Sequence, residues 1–294
     1  MEQPSIIFNR RLLRNRRDRC AAKFGEYDFL IRAASEQLVD RLDDMTRRFD
    51  TAITIGSHSG IVGQMLQQSP KIGHLIQTDL SPAMLTQACG PRVVCDEAWL
   101  PFADASVDLV ISVWSLHWVN DLPGTLIQIR RMLKPDGLFL CIIPGAHTLL
   151  ELRESLSHAE SELTGGISPR VAPFVEVRDA GNLLQRAGFA LPVVDSSMLQ
   201  VTYPHALKLM HDLRGMGENN HLMQQRTATA PRALFAHTAA YYAQHFPAED
   251  PARITASFEL ITLTGWAPHT SQQQPAKRGS GRVNLESFFD SNLN

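Results

Sequence analysis

Between residues 51 and 143 short apolar runs alternate with stretches whose apolar positions recur at helical spacing. Thr51–Ile55, His74–Gln77, Val93–Cys95, Val107–Val113 and Leu138–Ile143 read as strands. Val107–Val113 is apolar on both faces, as a central strand covered on both sides must be. Helices are predicted over Ile61–Gln68, from Ser81-Pro82 onward, and over Leu122–Leu133. Ser81 is a natural N-cap, and Pro82 suits the first helical position because its missing N–H has no intrahelical partner to lose. Lys134-Pro135-Asp136-Gly137 reads as the turn that stops the third helix. Strands that alternate with helices predict an α/β fold with a doubly wound, mainly parallel sheet.

The pattern then changes. Gly145–Glu162 reads as a helix, followed by a loop rich in Gly, Pro and Ser to about Pro173. Asn182–Ala187 reads as a helix closed by Gly188. Strands are predicted at Pro192–Ser196 and Thr255–Thr264, with a largely helical insertion, Leu199–Ala248, between them. The chain therefore divides into N-terminal helices (1–45), a Rossmann-like core (46–198), a helical insertion or lid (199–248), and a last strand with a polar tail (249–294). Composition leaves the tail beyond Pro268 open to either order or disorder.

The 28 Lys and Arg against 30 Asp and Glu give a formal charge of −2, so no global field draws the chain to nucleic acid. Positive charge concentrates at Asn9–Arg19 and again at Lys277–Arg282. The plain reading of Asn9–Arg19 is a solvated helix face with Ile7, Leu12 and Leu13 as its apolar positions. An arm for an acidic partner and a targeting segment are the alternatives. This stretch runs into the amphipathic Phe29–Leu42 with no cleavable spacer, so it reads as part of the domain and favours a cytoplasmic over a mitochondrial-matrix setting. Cys20, Cys89, Cys95 and Cys141 show no metal-ligand spacing and read as reduced thiols. The longest apolar run, Leu138–Ile143, is far too short to span a bilayer, so the expectation is a soluble protein.

The chemistry concentrates at strand ends. Thr51–Gly60, TAITIGSHSG, is a strand entering a glycine turn, and an acid, Asp79, ends the next strand about twenty residues on. That is the layout of a nucleotide-binding βαβ unit, with Gly56, Ser57, His58 and Gly60 forming the turn and Asp79 placed to accept ribose hydroxyl protons. The plain alternative for Asp79 is a helix-N-terminal acid. The usual S-adenosylmethionine loop is acid-x-Gly-x-Gly-x-Gly; here Thr54 replaces the acid and His58 the middle glycine. Loss of one charge-assisted hydrogen bond costs about 1.5–3 kcal/mol, so weakened S-adenosylmethionine binding is expected. Asp96 and Glu97 follow the third strand, where an acid can accept from an adenine amino group, with Trp99, Leu100 and Phe102 as apolar walls.

Ser115–Pro123, SLHWVNDLP, leaves the fourth strand at the sheet's carboxyl edge, where open α/β folds bind ligands. His117 and Trp118 are catalytic candidates there, with Glu218 from the insertion, while Asp121 suits an N-cap. His158-Ala159-Glu160 is the one oxygenase-like pair, and residues two apart on a helix do not share a face, so no metal site is expected.

These residues resemble one family, the methyltransferase-fold assembly factor of respiratory complex I found in mitochondria and alphaproteobacteria. The resemblance rests on Phe8-Asn9-Arg10-Arg11, Asp96-Glu97 with Leu100-Pro101-Phe102, and Ser115 through Pro123. It continues through Tyr203-Pro204, Asp212 through Asn219, and Gly265-Trp266 to His269, Ser271-Gln272, Pro275 and Arg278-Gly279-Ser280. The chain is more distantly similar to the malonyl-carrier-protein O-methyltransferase. The resemblance implies a class I S-adenosylmethionine-dependent methyltransferase fold: a seven-stranded sheet with a reversed last hairpin and a helical insertion. It implies a protein client, the iron–sulfur subunit of complex I, on which the family is credited with hydroxylating an arginine, and peripheral membrane association through that client. A non-catalytic assembly chaperone and a small-molecule or carrier-protein O-methyltransferase stay open beside it.

Overall fold

The computed structural model describes residues 6–67, 69–224, 230–273 and 279–280. The expected tail positions Pro275 and Arg278, the basic stretch around Lys277–Arg282, and Gln68 of the first core helix lie outside these or at their margin.

The fold is a seven-stranded sheet of order β3-β2-β1-β4-β5-β7-β6. Its strands are β1 (Phe49–Ile55), β2 (Ile72–Asp79), β3 (Arg92–Val94), β4 (Val107–Val113), β5 (Leu133–Pro144), β6 (Ala190–Tyr203) and β7 (Ile254–Trp266). β1 to β5 pair in parallel, and β7 runs antiparallel between β5 and β6. The helices are α1 (Arg10–Cys20), α2 (Phe29–Asp43), α3 (Ile61–Leu66), α4 (Pro82–Leu85), α5 (Leu122–Met132), α6 (Leu150–Thr164), α7 (Val177–Arg186), α8 (Ala206–Gly215) and α9 (Arg232–His245). This is the class I S-adenosylmethionine methyltransferase architecture.

Alternation along the strands sorts the core into two layers. Leu109 and Ile111 of β4 pack with α2, α3, α6 and α8 on one face. Val110 and, on β5, Phe139 and Cys141 pack with α5 and α7 on the other. Ser81 and Asp121 cap α4 and α5, accepting from Met84 N at 3.1 Å and Gly124 N at 2.8 Å.

Four boundaries differ from the sequence reading by five residues or more. β5 begins at Leu133, paired with Val107, and the Lys134–Gly137 turn sits inside it as a register break before Leu138 meets Leu109. α6 begins at Leu150 rather than Gly145, because Gly145 N and Leu149 N donate to Glu259 and Ser257 of β7 instead of starting a helix. α7 begins five residues before the predicted start. β6 continues to Tyr203, its register with β7 unbroken from Val193, so Leu199–Tyr203 belong to the sheet and the insertion follows them. A hairpin held by its partner strand carries polar residues past the point where composition suggests a helix.

Gly145 marks how tightly the sheet's carboxyl end is packed: a Cβ there would lie 2.4 Å from the Glu259 carboxylate, which also accepts from His147 N. Gly145→Ala is expected to cost about 1–3 kcal/mol by displacing that carboxylate, read as a lowered urea midpoint with unchanged far-ultraviolet dichroism.

Candidate functional site

The carboxyl ends of β1 to β4 meet in one cleft. The turn after β1 needs glycine at Gly56, whose φ is +67° and where a Cβ would lie 2.0 Å from Ser115 Oγ. Beneath it, hydroxyls join the strand ends: Thr78 N donates to Ser57 Oγ at 3.0 Å and Thr78 Oγ1 to the Thr54 carbonyl at 3.0 Å. The Thr54 hydroxyl, where an acid would be usual, bonds the Ser57 hydroxyl and so serves the turn itself. His58 is buried and adopts φ +50°. Its ring stacks on Phe24 at 5.6 Å, and its Nε2 donates to the Val113 carbonyl at 3.1 Å. Burial, and next the charge of Arg17, push its pKa down to about 3, so the ring is neutral.

Asp79 ends β2 fully buried, its oxygens accepting from His58 N at 2.9 Å and Ser81 N at 2.7 Å. Glu97 accepts from Ser115 Oγ at 2.6 Å. Asp96 faces Arg10, whose Nη2 reaches Oδ1 at 2.7 Å and also bonds Glu97. Between the two buried acids lies Arg17, 0% exposed, with Nη1 3.3 Å from Glu97 and 3.6 Å from Asp79. Burial raises the Asp79 pKa against the pull of Arg17. Glu97, opposed by burial, is nevertheless brought below its ordinary value by Arg10 and Arg17.

Two expectations need correction here. Asn9–Arg19 is a solvated face only in part: Arg11, Arg14, Asn15 and Arg19 are exposed, but Arg10 and Arg17 turn inward onto buried acids. Trp99 forms no pocket wall: it is 79% exposed. The missed residues, Arg10 and Arg17, share a helix face with Leu13, and the signal lay in their spacing of three and four along the basic stretch.

A second chamber opens on the far side of Trp118. It is a cavity of about 290 Å3, walled by Trp114, His117, Phe174, Leu152 and Phe258, with Glu218 entering from the turn after α8. The turn is closed by Glu218 N donating to the Leu213 carbonyl at 2.9 Å, with Gly217 at φ +78°. Glu218 Oε2 accepts from His117 Nε2 at 3.1 Å and Trp118 Nε1 at 2.8 Å. Its Oε1 is buried with no hydrogen-bond partner among the described residues. Burial opposes ionisation of Glu218, yet the His117 hydrogen bond and the Arg17 charge bring its pKa down to about 2. Arg16, Arg170 and the exposed Arg214 line the same cavity. The structure thus brings His117, Trp118 and Glu218 together in one place and Gly56, Ser57, His58, Gly60, Asp79, Asp96 and Glu97 in another.

Among the described residues no three His, Cys, Asp or Glu side chains converge as a metal site would require. His158 stacks on Tyr241, while Glu160 binds Ser168 and Arg170. No helix of the described residues is long and apolar enough to cross a membrane.

Residues 53–141 match a methyltransferase domain family. Over 286 residues, 95% of this chain and 88% of the relative, the sequence is 38% identical to the mitochondrial arginine-hydroxylase NDUFAF5 of Danio rerio. The human NDUFAF5 is 40% identical, over 95% of this chain and 82% of its own. The chain belongs to the NDUFAF5 family. A malonyl-[acyl-carrier protein] O-methyltransferase of Xylella fastidiosa is more distant, 30% identical over 89% of each chain. Among solved structures, the YcgJ protein of Bacillus subtilis superposes with a TM-score of 0.56 at 16% identity, covering 80% of this chain and 99% of its own, which speaks to the fold alone.

For an NDUFAF5-family cleft the carboxylates suit a nucleoside, since Asp79 and Glu97 stand at the right strand ends. Arg17 stands between them, 3.3 Å from Glu97 and 3.6 Å from Asp79, so S-adenosylmethionine would have to displace it to reach both carboxylates.

Acid should test the buried groups together. The unfolded chain protonates at His58 and His221 from about pH 6.5 down, whereas the folded chain holds both neutral to about 3. Glu218 contributes stability that is complete above 4.5 and lost as pH falls toward about 2. Asp79, raised in the fold, offsets part of this between its folded value and 3.8. The urea midpoint is therefore expected to fall from about pH 6.5 downward, steepening below about 4.5, and a His58→Asn, His221→Asn variant should flatten the upper part of that curve.

Proposed function

We propose that the chain modifies an arginine side chain of a protein client, the iron–sulfur subunit of complex I, in the cavity that Glu218 enters. The supporting observation is the Glu218 carboxylate itself. It is ionised at neutral pH, its side chain is only 6% exposed, and one oxygen has no hydrogen-bond partner among the described residues. A guanidinium supplies N–H donors and positive charge to such an oxygen, and the faces of Trp114, Trp118 and Phe174 favour a cation. The exposed Arg214 and half-buried Arg16 at the same cavity suit a client arginine flanked by acidic residues. The relatives are named for arginine hydroxylation and for mitochondria, and both the reaction and the setting, matrix side or the cytoplasmic face of a bacterial membrane, come to this chain by that relationship. S-adenosylmethionine is the cofactor class that the domain family suggests.

A second reading, a non-catalytic assembly chaperone, is favoured by the filled cleft and by Thr54 and His58 in the glycine turn. A malonyl-carrier substrate is less suited to the cavity, because its terminal carboxylate would meet that of Glu218.

Glu218→Gln keeps an acceptor for His117 and Trp118 but removes the charge. It should weaken client use about ten- to a hundredfold, seen in KM, with the added oxygen on the client arginine followed by mass spectrometry. Client arginine modified at the normal rate by Glu218→Gln would sink the reading. Unmodified client with normal complex I assembly would favour the chaperone.

A further inference from the structure

We propose that α1 closes the nucleotide cleft with its own guanidinium, so that a nucleoside ligand enters only when Arg17 is withdrawn. This rests on the reading of the cleft as an S-adenosylmethionine-type site.

Arg17 behaves as an occupant rather than as cement. A guanidinium removed from water is compensated only by short, well-directed partners. Arg170 shows such a set, with 2.7 Å to Glu160 Oε1. Arg17, more deeply buried, has 3.3 Å to Glu97, 3.6 Å to Asp79 and 3.4 Å to Ser115 Oγ, and its Nε has no hydrogen-bond partner among the described residues. Among the described residues His58 Nδ1 and Glu218 Oε1 likewise have no hydrogen-bond partner. These atoms lie around α1 and the turn it touches, while further unpaired atoms, on Gln77, Thr125, Arg130, Arg153, Tyr203 and Thr264, lie elsewhere.

Charge explains why something must stand there. With Arg17 gone, Asp79 keeps only two backbone donors, and Glu97 keeps Arg10 and Ser115. Ribose hydroxyls donating to Asp79, together with a sulfonium charge, would replace what Arg17 supplies.

The attachments of α1 also tie this cleft to the second chamber. Asn9 N donates to the His221 carbonyl at 2.8 Å, Arg16 Nη1 to that of Asn220 at 2.5 Å, and Phe8 meets Trp118 edge-on at 5.2 Å. These residues flank Glu218. Withdrawal of α1 therefore loosens the turn that presents Glu218, and nucleoside and client binding become linked.

A built-in clamp can test this. A Cβ at Gly217 would lie 3.2 Å from Cys20 Sγ, the last residue of α1. Oxidised Gly217→Cys should bond to Cys20 and hold the helix closed. In calorimetric titrations of the full chain with S-adenosylmethionine and S-adenosylhomocysteine, Arg17→Gln should bind at least tenfold tighter than the unsubstituted protein. The oxidised clamp, verified by its intact mass, should give no binding heat, and reduction should restore it. Equal affinities in the unsubstituted protein, Arg17→Gln and the oxidised clamp would overturn the proposal. If Arg17→Gln does not fold, the clamp alone decides between these outcomes. Absence of binding in every form would overturn both the closure and the nucleoside reading, while client-arginine modification by the same preparations would still stand or fall separately.

Discussion

Two carboxylates buried at the ends of neighbouring strands cannot both stay ionised without a cation between them. Asp79 and Glu97 are in that position, and Arg17 is the cation. Much of the carboxyl edge follows from this constraint. α1 must lie across the sheet to deliver the guanidinium. The turn after β1 must be tight enough to leave room for it, and the neutral, stacked His58 completes the lining without adding a second charge. Arg10 extends the same logic one helical face outward, to Asp96 and the other oxygen of Glu97.

The sheet was legible because each strand is a short apolar run that its neighbours bury, and period-two alternation is a local signal. Its fourth strand was readable almost to the residue. β6 was not, since its outer positions are polar or exposed and only the register with β7 keeps Leu199–Tyr203 extended. The start of α6 was hidden for a related reason: the residues before it satisfy their backbone on β7, a partner more than a hundred residues away (Glu259 from His147 is 112).

The two groups of candidate residues were legible as types and not as places. Asp79, Asp96 and Glu97 could be found by strand ends, and His117 and Trp118 by the edge they leave. That Glu218 would meet His117 and Trp118 depends on a helical insertion folding back across the sheet, which no local pattern records. Arg10 and Arg17 were misread because a basic helix is normally solvated, and composition counts charge without saying which way it faces. Only the coincidence of an inward helical stripe with three acids elsewhere in the chain distinguishes the two cases.

The contacts of α1 also set an order of assembly. Arg10 bonds to a residue 86 positions later, Arg17 to one 98 later, and Arg16 to one 204 later. α1 therefore lacks its most distant partner until Asn220 has been synthesised, and closing so long a loop early would cost entropy with nothing gained. The docking of α1 is thus completed only by residues of the insertion. Arg10 and Arg17 find their acids within the first hundred or so residues, whereas Arg16 waits for the insertion to supply its carbonyl.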